Sequence, residues 1–472
     1  MKNKEKKLLA IAFIYPPMAR AGVHRSVRFV RFLKELGWQI SVLTPDEKYY
    51  PPQTPVDHGL NNKIPEGIVV SRTAVFQGMY KLFNLKVKMG NEANGQVKDE
   101  RDKEKIAPIS HDELTSLAEK IKPQKPVTKK SKKQALKDFI FDLFTLPDKE
   151  VFWLPYALFR GWRLHRHNAF NIIYSTAPPF TDHLVALFLK KLSGKPWIAD
   201  FRDPWARAPM KKQELSGTFR GRAIHFFERK FVQHADKIIL NTDWAHTEFM
   251  QFYKGKAAAK FVVINNGFDP EDFENLTFSE MTGVPAKLRI THTGALYRMR
   301  DPGAFFQALS EVIDEGVINK DEIEVNFVGI IARELYNSFS NLAHLEDVVK
   351  VYPPVSHEEA LRFQAQADVL LALQPGTNLS IPGKIFEYIA LRKYIFAVTI
   401  PGATADLVKN YHLGSVVDPQ DFNALKQELV NLVQKWRQNQ LSVHLNGAYD
   451  KFNGRNQSRE LHDLLTELLE RR

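Results

Sequence analysis

The chain has 472 residues, 44% hydrophobic and 25% charged, with a formal net charge of +12 and no cysteine. Its length exceeds what one hydrophobic core usually serves, which favours two domains, and the missing cysteines exclude disulfides and thiolate-bound zinc. The basic charge admits phosphorylated, lipid and nucleic-acid partners alike, but no apolar run reaches the roughly 20 residues that span a bilayer.

The first half of the chain alternates short apolar segments with segments of helical periodicity. Leu8–Tyr15 is predicted as a strand, Val23–Leu36 as an amphipathic helix and Gln39–Thr44 as a second strand, which together make a βαβ unit. Later strands are predicted at Asn171–Ser175, Trp197–Phe201, Lys237–Asn241 and Phe261–Asn265, with helices at Thr181–Leu192 and Gly221–His234. This alternation predicts a parallel, doubly wound sheet.

The alternation is lost between about residues 80 and 137, which we interpret as a partly disordered insertion on the first domain. Lys120–Lys137 contains eight lysines and no acidic residue. Two interpretations stay open, a solvated loop or a patch that touches an anionic membrane leaflet. Nucleic-acid binding is disfavoured because no aromatic side chains are interleaved to stack on bases.

The βα alternation restarts at Leu288. Strands are predicted at Leu288–Thr293, Glu324–Val328, Val348–Tyr352, Val369–Leu373, Tyr394–Val398 and Gly414–Val417, and helices at Asn423–Trp436 and Glu460–Glu470. The predicted organisation is an α/β fold of two Rossmann-like domains, 1–280 and 281–450. Residues 451–472 are expected to form a helix that packs the domains together.

Ligands of Rossmann-like sheets bind beyond the carboxyl ends of the strands, so loops after strands are the candidate sites. In the first half, Gly22 lies in the loop before a helix, with Arg25 in that helix, and Asp200-Phe201-Arg202-Asp203 follows an apolar strand. The charges of the second motif either pair with one another or contact a ligand. Asp203 and His183 are the candidate general bases, although a lone histidine on a helix is more often structural.

Two loops of the second half favour phosphate binding. Gly294 allows close backbone approach, and Arg298 and Arg300 can donate to phosphate oxygens. Gly383 and Lys384 would lie at a helix N-terminus, where amides and an ammonium attract a diphosphate, with Glu387 one turn further on. The alternative at each place is an ordinary solvated loop or a capped helix.

With the Ser380–Ala390 motif in view, the sequence resembles the retaining glycosyltransferases of family 4, whose fold is called GT-B. The resemblance extends to the first-strand loop, Ser175–Pro179, Asp200–Trp205, Asn265–Asp269 and Gly294–Arg300. It implies two facing Rossmann-like domains with a cleft between them. It also implies transfer from a nucleoside-diphosphate sugar with retention and without an obligatory metal or other cofactor.

The resemblance assigns roles to several of these residues. Lys384, Gly383 and the Gly294, Arg298 and Arg300 loop would hold the donor diphosphate, Glu387 the ribose, and Gly22 would close over the phosphates. Arg25 and Arg202 would line the acceptor side. The sequence departs from the family pattern at Leu379, where a glutamate is usual, and at Ala295, where an arginine is usual.

The expected partners are a nucleotide-sugar donor and a glycan or lipid-linked acceptor, with an anionic membrane surface as a further partner and no nucleic acid. The expected location is the cytoplasm, at the inner membrane face. The departures at Leu379 and Ala295 motivate a second hypothesis, a non-catalytic sugar-nucleotide-binding or scaffold protein of the same fold.

Overall fold

The computed structural model describes residues 5–51, 54–76, 107–119, 139–208, 212, 215–274, 287–340, 342–443 and 445–471. These residues divide into two compact units. The first unit contains the described residues up to 76, those within 139–269 and 454–471. The second contains 107–119 and those within 270–453.

The first unit is built on a seven-stranded parallel sheet in the order β3-β2-β1-β4-β5-β6-β7. Its strands are β1 Lys7–Ile11, β2 Gln39–Pro45, β3 Val69–Thr73, β4 Ile172–Ala177, β5 Trp197–Phe201, β6 Lys237–Leu240 and β7 Phe261–Val263. Every residue of β4 and β5 is buried. Such continuous burial is expected of a parallel sheet covered by helices on both faces.

The helices of the first unit form a layer on each face of this sheet. They are α1 Val23–Glu35, α3 Leu154–Arg166, α4 Thr181–Ser193, α5 Phe219–His234, α6 Asp243–Phe252 and α15 Gly454–Glu470. The connections through α4 and α5 run in the same direction along the sheet, so right-handed crossovers place both helices on one face. Helix α3 packs against α4, and α4 against α5, while α1 packs against α15.

The second unit is built on a six-stranded parallel sheet in the order β10-β9-β8-β11-β12-β13. Its strands are β8 Leu288–Thr293, β9 Ile323–Val328, β10 Val349–Tyr352, β11 Val369–Gln374, β12 Tyr394–Thr399 and β13 Gly414–Val417. Its helices are α2 His111–Glu119, α7 Glu271–Glu274, α8 Gly303–Asp314, α9 Tyr336–Ser340, α10 His357–Gln366, α11 Lys384–Ala390, α12 Ala403–Asn410, α13 Phe422–Arg437 and α14 Ala448–Phe452. Two parallel sheets confirm the predicted α/β fold.

The sequence predicted that the insertion at about residues 80–137 belongs to the first domain, but its described part packs elsewhere. Its described part, residues 107–119, belongs to the second unit. The amide of Ile109 donates to Val351 O at 2.7 Å in an antiparallel bridge to the edge strand β10, and Leu114 is 5% exposed in the second core. An edge strand offers unpaired backbone groups to any segment that reaches it. Lys120–Lys137 lies outside the described residues.

The C-terminal helix α15 completes the core of the first unit. Leu461 and Leu465 are fully buried in that core, and Trp38 Nε1 donates to His462 Nδ1 at 3.0 Å. Gly454 is required by packing, because a Cβ there would lie 2.0 Å from the Arg28 side chain. A role of this helix in holding the two units together stays a prediction. Within the described residues, no helix combines the length and apolarity needed to cross a membrane.

Candidate functional site

The start of α11 places a lysine and a glutamate on one side of the helix. Pro382 and Gly383 precede the helix, which begins at Lys384. Residues three apart share a helical face, and Lys384 Nζ accordingly lies 3.2 and 3.1 Å from the two carboxylate oxygens of Glu387. Gln364, on α10, donates to the same carboxylate at 2.7 Å. The side-chain amide of Gln364, which comes from another helix, therefore adds a third polar group to the predicted Lys384–Glu387 pair.

Glu387 is held in its ionised form. Burial by itself would raise the pKa of this carboxyl group, but the charges of Lys384 and His357 and the bonds from Gln364 and Lys384 lower the pKa below its ordinary value. A carboxylate that stays ionised keeps lone pairs available to accept from hydroxyl groups. Glu387 is therefore a hydrogen-bond acceptor in this site.

The loop after β8 exposes backbone next to this pair. Gly294 has a φ of 131°, which favours glycine, and its amide donates to Val328 O at 2.9 Å. A Cβ at Gly294 or at Gly383 would meet nothing within 4 Å. Gln364 Nε2 also donates to Thr293 Oγ1 at 2.9 Å, which connects this loop to Glu387. Both glycines thus leave their backbone open to a ligand.

Arg300 shares this site with Lys384. The imidazole of His292, buried at the end of β8, donates from Nδ1 to Leu371 O at 3.0 Å. Burial, together with the positive charges of Arg300 and Lys384, lowers the pKa of His292 to about 4 against the raising effect of the bond to Leu371. The Tyr388 hydroxyl, whose pKa burial raises to about 12, also responds to the charges of Glu387 and Arg300. Arg300 therefore acts on the same two buried side chains as Lys384 and Glu387.

Three polar atoms in this region are buried without a hydrogen-bond partner. They are His292 Nε2, Arg300 Nε and Gln364 Oε1. Buried polar atoms are normally satisfied, so a group of unsatisfied ones is a sign of a polar binding site. Arg298 and Ala295 are exposed on the adjoining loop, whereas Leu379 is buried at 4% exposure.

Arg25 has a structural environment in the first unit. Its Nε and Nη2 donate to the two carboxylate oxygens of Asp200 at 2.8 and 3.1 Å. The remaining N–H groups donate to Ile264 O, Asn265 O and Asn266 Oδ1. All five donors of the guanidinium are satisfied, so binding an acceptor would require one of these bonds to break. Asp200 therefore pairs with Arg25 and not with Arg202.

Arg202 fills the space beside Gly22. Its guanidinium donates to Ala21 O at 3.3 Å and to Pro178 O. A Cβ at Gly22 would lie 1.0 Å from Arg202 Nη1, and the φ of Gly22 is 97°. The backbone conformation thus favours glycine here, and a side chain would displace the Arg202 guanidinium. The contact of Gly22 with donor phosphates stays a prediction. Asp203 is exposed on the same loop.

His183 lies in an aromatic cluster inside the first core. Its ring is fully buried among Phe180, Phe201 and Phe231, and Nδ1 is 2.8 Å from Ser175 Oγ. Burial and the charge of Arg202 lower the pKa of His183 to about 3. This placement gives His183 a structural role and does not favour the general-base role predicted for it.

Sequence reasoning missed Gln364 and His292. His292 could have been found, because it lies two residues before Gly294 at the carboxyl end of a predicted strand. Gln364 carries no such signal, since it lies on α10 and reaches Glu387 only through the packing of α10 against β8.

Comparison with known proteins agrees with this architecture. Residues 141–267 match the family model described as a glycosyl transferase 4-like domain. Over 192 residues the chain is 28% identical to the D-inositol 3-phosphate glycosyltransferase of Kineococcus radiotolerans, a match that covers 37% of this chain and only 42% of that enzyme.

Two solved structures are similar over almost the full length. Anabaena Alr3699/HepE in complex with UDP and glucose has a TM-score of 0.60 at 13% identity, covering 98% of this chain and 100% of that one. WaaG, a glycosyltransferase involved in lipopolysaccharide biosynthesis, has a TM-score of 0.55 at 12% identity, covering 97% and 99%. Identities this low establish the fold alone. The chain has the GT-B fold seen in these glycosyltransferases, and its residues 141–267 match the glycosyl transferase 4-like domain.

Proposed function

We propose that the chain is a glycosyltransferase that moves a sugar from a nucleoside-diphosphate sugar to an acceptor, with retention of the anomeric configuration. The observation that carries this proposal is the convergence of Lys384, Glu387 and Arg300 beside the open backbone of Gly294 and Gly383. The convergence supplies cations and a carboxylate in one place, which suits a diphosphate followed by a ribose.

Lys384 and Arg300 would bind the diphosphate. The Lys384 ammonium has three N–H donors and is 30% exposed, so it can donate to a phosphate oxygen while it contacts Glu387. Arg300 has a buried Nε without a partner, and the exposed Arg298 lies on the same loop. A departing nucleoside diphosphate gains negative charge, so fixed cations stabilise the transition state more than the bound donor. Because Lys384 and Arg300 supply positive charge to the diphosphate, we propose that no metal is obligatory.

Glu387 would accept hydrogen bonds from the two ribose hydroxyls. Its carboxylate is 17% exposed and is held ionised and oriented by Lys384 and Gln364. Both oxygens accept from Lys384, so ribose binding would require the Lys384 ammonium to turn towards the diphosphate. Asp203, exposed after β5, is the remaining candidate on the acceptor side. We propose a cell-envelope glycan or lipid-linked saccharide as acceptor and the cytoplasmic membrane face as location, in keeping with the lipopolysaccharide role named for WaaG.

The alternative is a non-catalytic sugar-nucleotide-binding or scaffold protein of the same fold. Leu379 favours it, because a buried leucine stands where the family usually has a glutamate near the donor sugar. Both functions predict nucleotide binding. Only the enzyme predicts donor hydrolysis or transfer across a panel of nucleotide sugars and acceptors.

A thermal-shift series tests the donor site. Ligands that bind only the native state raise its stability, by about 2.7 kcal/mol at 100 times the dissociation constant. We expect at least one of UDP, GDP, ADP or their sugar conjugates to raise the melting temperature, and Lys384→Ala to abolish the rise. Lys426→Ala is the control, because Lys426 also bonds glutamates of the second unit, at 2.6 and 3.2 Å, but on another helix. An equal rise in the Lys384 variant would contradict the proposal.

A further inference from the structure

The outer surface of α3, α4 and α5 exposes large apolar side chains. On α3, Tyr156, Phe159 and Trp162 are 40%, 60% and 43% exposed and recur along the side opposite the buried Ala157 and Leu164. Helix α4 adds Phe188 and Leu192, and α5 adds Phe226, at 39%, 60% and 55% exposure. Single exposed apolar residues need no explanation, but six on three adjoining helices form a patch.

Basic side chains are interleaved with this patch. Exposed cations are found on all three helices, namely Arg163, Arg166, Lys191, Arg222 and Arg229. Arg163 lies 6.0 Å from the Phe159 ring and Arg166 lies 5.7 Å from the Trp162 ring. The three helices, whose residues are all described, contain nine lysines and arginines. Their acidic residues are Asp182 and Glu228, and both are fully buried.

The apolar surface continues beyond the three helices. Residues 139–144 are helical, and Phe139, Leu143 and Phe144 are 45%, 49% and 52% exposed. Phe139 contacts Phe219 at the start of α5, with ring centroids 5.0 Å apart, so this segment adjoins the patch. We call the exposed side chains of α3, α4 and α5 the aromatic-basic face.

We propose that the aromatic-basic face docks on the surface of an anionic lipid bilayer. Tryptophan, tyrosine and phenylalanine insert at the level of the headgroups, while arginine and lysine extend from apolar stems to lipid phosphates. Anionic leaflets attract each such cation, and the attraction adds to the burial of apolar surface. The face offers both contributions and no exposed carboxylate to oppose them.

Charge makes a bilayer a better partner than a second copy of this chain. A symmetric dimer would place the same face against itself, and this face would then oppose positive charge with positive charge. The second unit differs, because its described residues expose only Tyr297, Val317 and Ile330 as large apolar side chains. The proposal rests on the membrane location in the proposed function and assigns it a surface, while docking itself requires neither donor nor acceptor.

Sedimentation with vesicles tests the proposal on the full-length protein. We expect binding to vesicles of equal phosphatidylcholine and phosphatidylglycerol, weak binding to phosphatidylcholine alone, and loss of binding in high salt. Replacing Phe159 and Trp162 together by serine should weaken binding about tenfold or more. Arg163→Gln with Arg166→Gln should weaken it about 30-fold. Val317→Ser with Ile330→Ser, which removes equally exposed apolar side chains elsewhere, should leave binding unchanged.

A second readout follows Trp162 itself. All seven tryptophans lie in the described residues, and Trp162 alone among them is exposed, so acrylamide quenching reports mainly on this side chain. We expect anionic vesicles to protect Trp162 from quenching by acrylamide. The proposal is wrong if the natural protein ignores anionic vesicles, or if the serine variant binds them as well as the natural protein.

Two further results would also overturn it. One is binding that depends only on Lys120–Lys137, shown by glutamine substitutions there. The other is concentration-dependent dimerisation without lipid that the serine variant loses, since the partner would then be a second copy. Nucleotide-induced melting shifts should be the same in all these variants, so failure of this proposal is distinguishable from failure of the donor-site proposal.

Discussion

In the first unit, Arg25 and Asp200 form a bidentate pair at the end of a strand, with side chains that are 3% and 0% exposed. In the second unit, Lys384 and Glu387 form a pair whose side chains are 30% and 17% exposed. Every donor of Arg25 is bonded to protein, whereas polar atoms beside the second pair lack partners. Charge at a strand's carboxyl end therefore does not by itself indicate a ligand site. The exposure of the second pair makes that distinction, because Arg202 Nε beside the first pair also lacks a partner.

The largest expected effect is on stability, and it tests the first pair. Asp200→Asn leaves the buried guanidinium of Arg25 without its counter-charge, and we expect unfolding free energy to fall by about 3–5 kcal/mol in chemical denaturation. The control is Arg437→Met, which breaks an exposed pair with Glu322 and should cost about 1 kcal/mol or less. If Asp200→Asn keeps full stability and loses only transfer activity, the first pair belongs to a functional site.

The second pair should show the opposite behaviour. We expect Lys384→Ala to lower kcat about 10²–10³-fold, because it removes one positioned donor from the developing negative charge on the leaving group. Its melting temperature without ligand should change little, since Lys384 is partly exposed. Loss of folding in this variant, with normal turnover of the folded fraction, would make the two pairs alike.

His292 provides a pH-dependent test of the same region. Its pKa is about 4 in the folded protein and near 6.5 when unfolded, so the unfolded state takes up the proton first as pH falls. The contribution of neutral His292 to the free energy of unfolding is about 3 kcal/mol. It is fully present above pH 6.5 and is lost as the pH falls towards 4. We therefore expect His292→Gln to lose less stability over this range than the natural protein does. Exposed His58→Gln, as control, should follow the natural profile.

The smallest effect separates the two glycines of the site. Both leave open space, but Gly294 has a φ of 131° whereas Gly383 has a φ of −56°. We expect Gly294→Ala to lower unfolding free energy by about 1–2 kcal/mol and Gly383→Ala to be near neutral. Equal costs in denaturant titrations would show that packing, and not backbone conformation, selects these residues.

Much of the sheet architecture was predictable from the sequence. The strands Trp197–Phe201, Leu288–Thr293 and Gly414–Val417 are confirmed with their predicted ends, because each contains β-branched or aromatic residues and is followed by a glycine or proline within three positions. Strand β3 and helix α3 were missed. The outer side of α3 carries Tyr156, Phe159 and Trp162, where the outer side of a helix in a globular domain is usually polar.

Contacts between residues that are far apart in the chain could not be predicted from the sequence. The contact between Lys384 and Glu387 was predictable, since the two residues are three positions apart on one predicted helix. Arg25 and Asp200 are 175 positions apart, and nothing local identifies them as partners. The same holds for the docking of residues 107–119 on β10, which depends on an edge strand more than 200 positions away.

The last helix has a consequence for biosynthesis. Helix α15 covers α1 in the first unit, yet it follows the whole of the second unit in the chain. On the ribosome, the apolar side of α1 must stay uncovered until the whole second unit has been translated, a period in which nascent chains are prone to aggregate. Chaperone binding during synthesis, and insolubility of chains that stop short of Gly454, follow from this order of assembly.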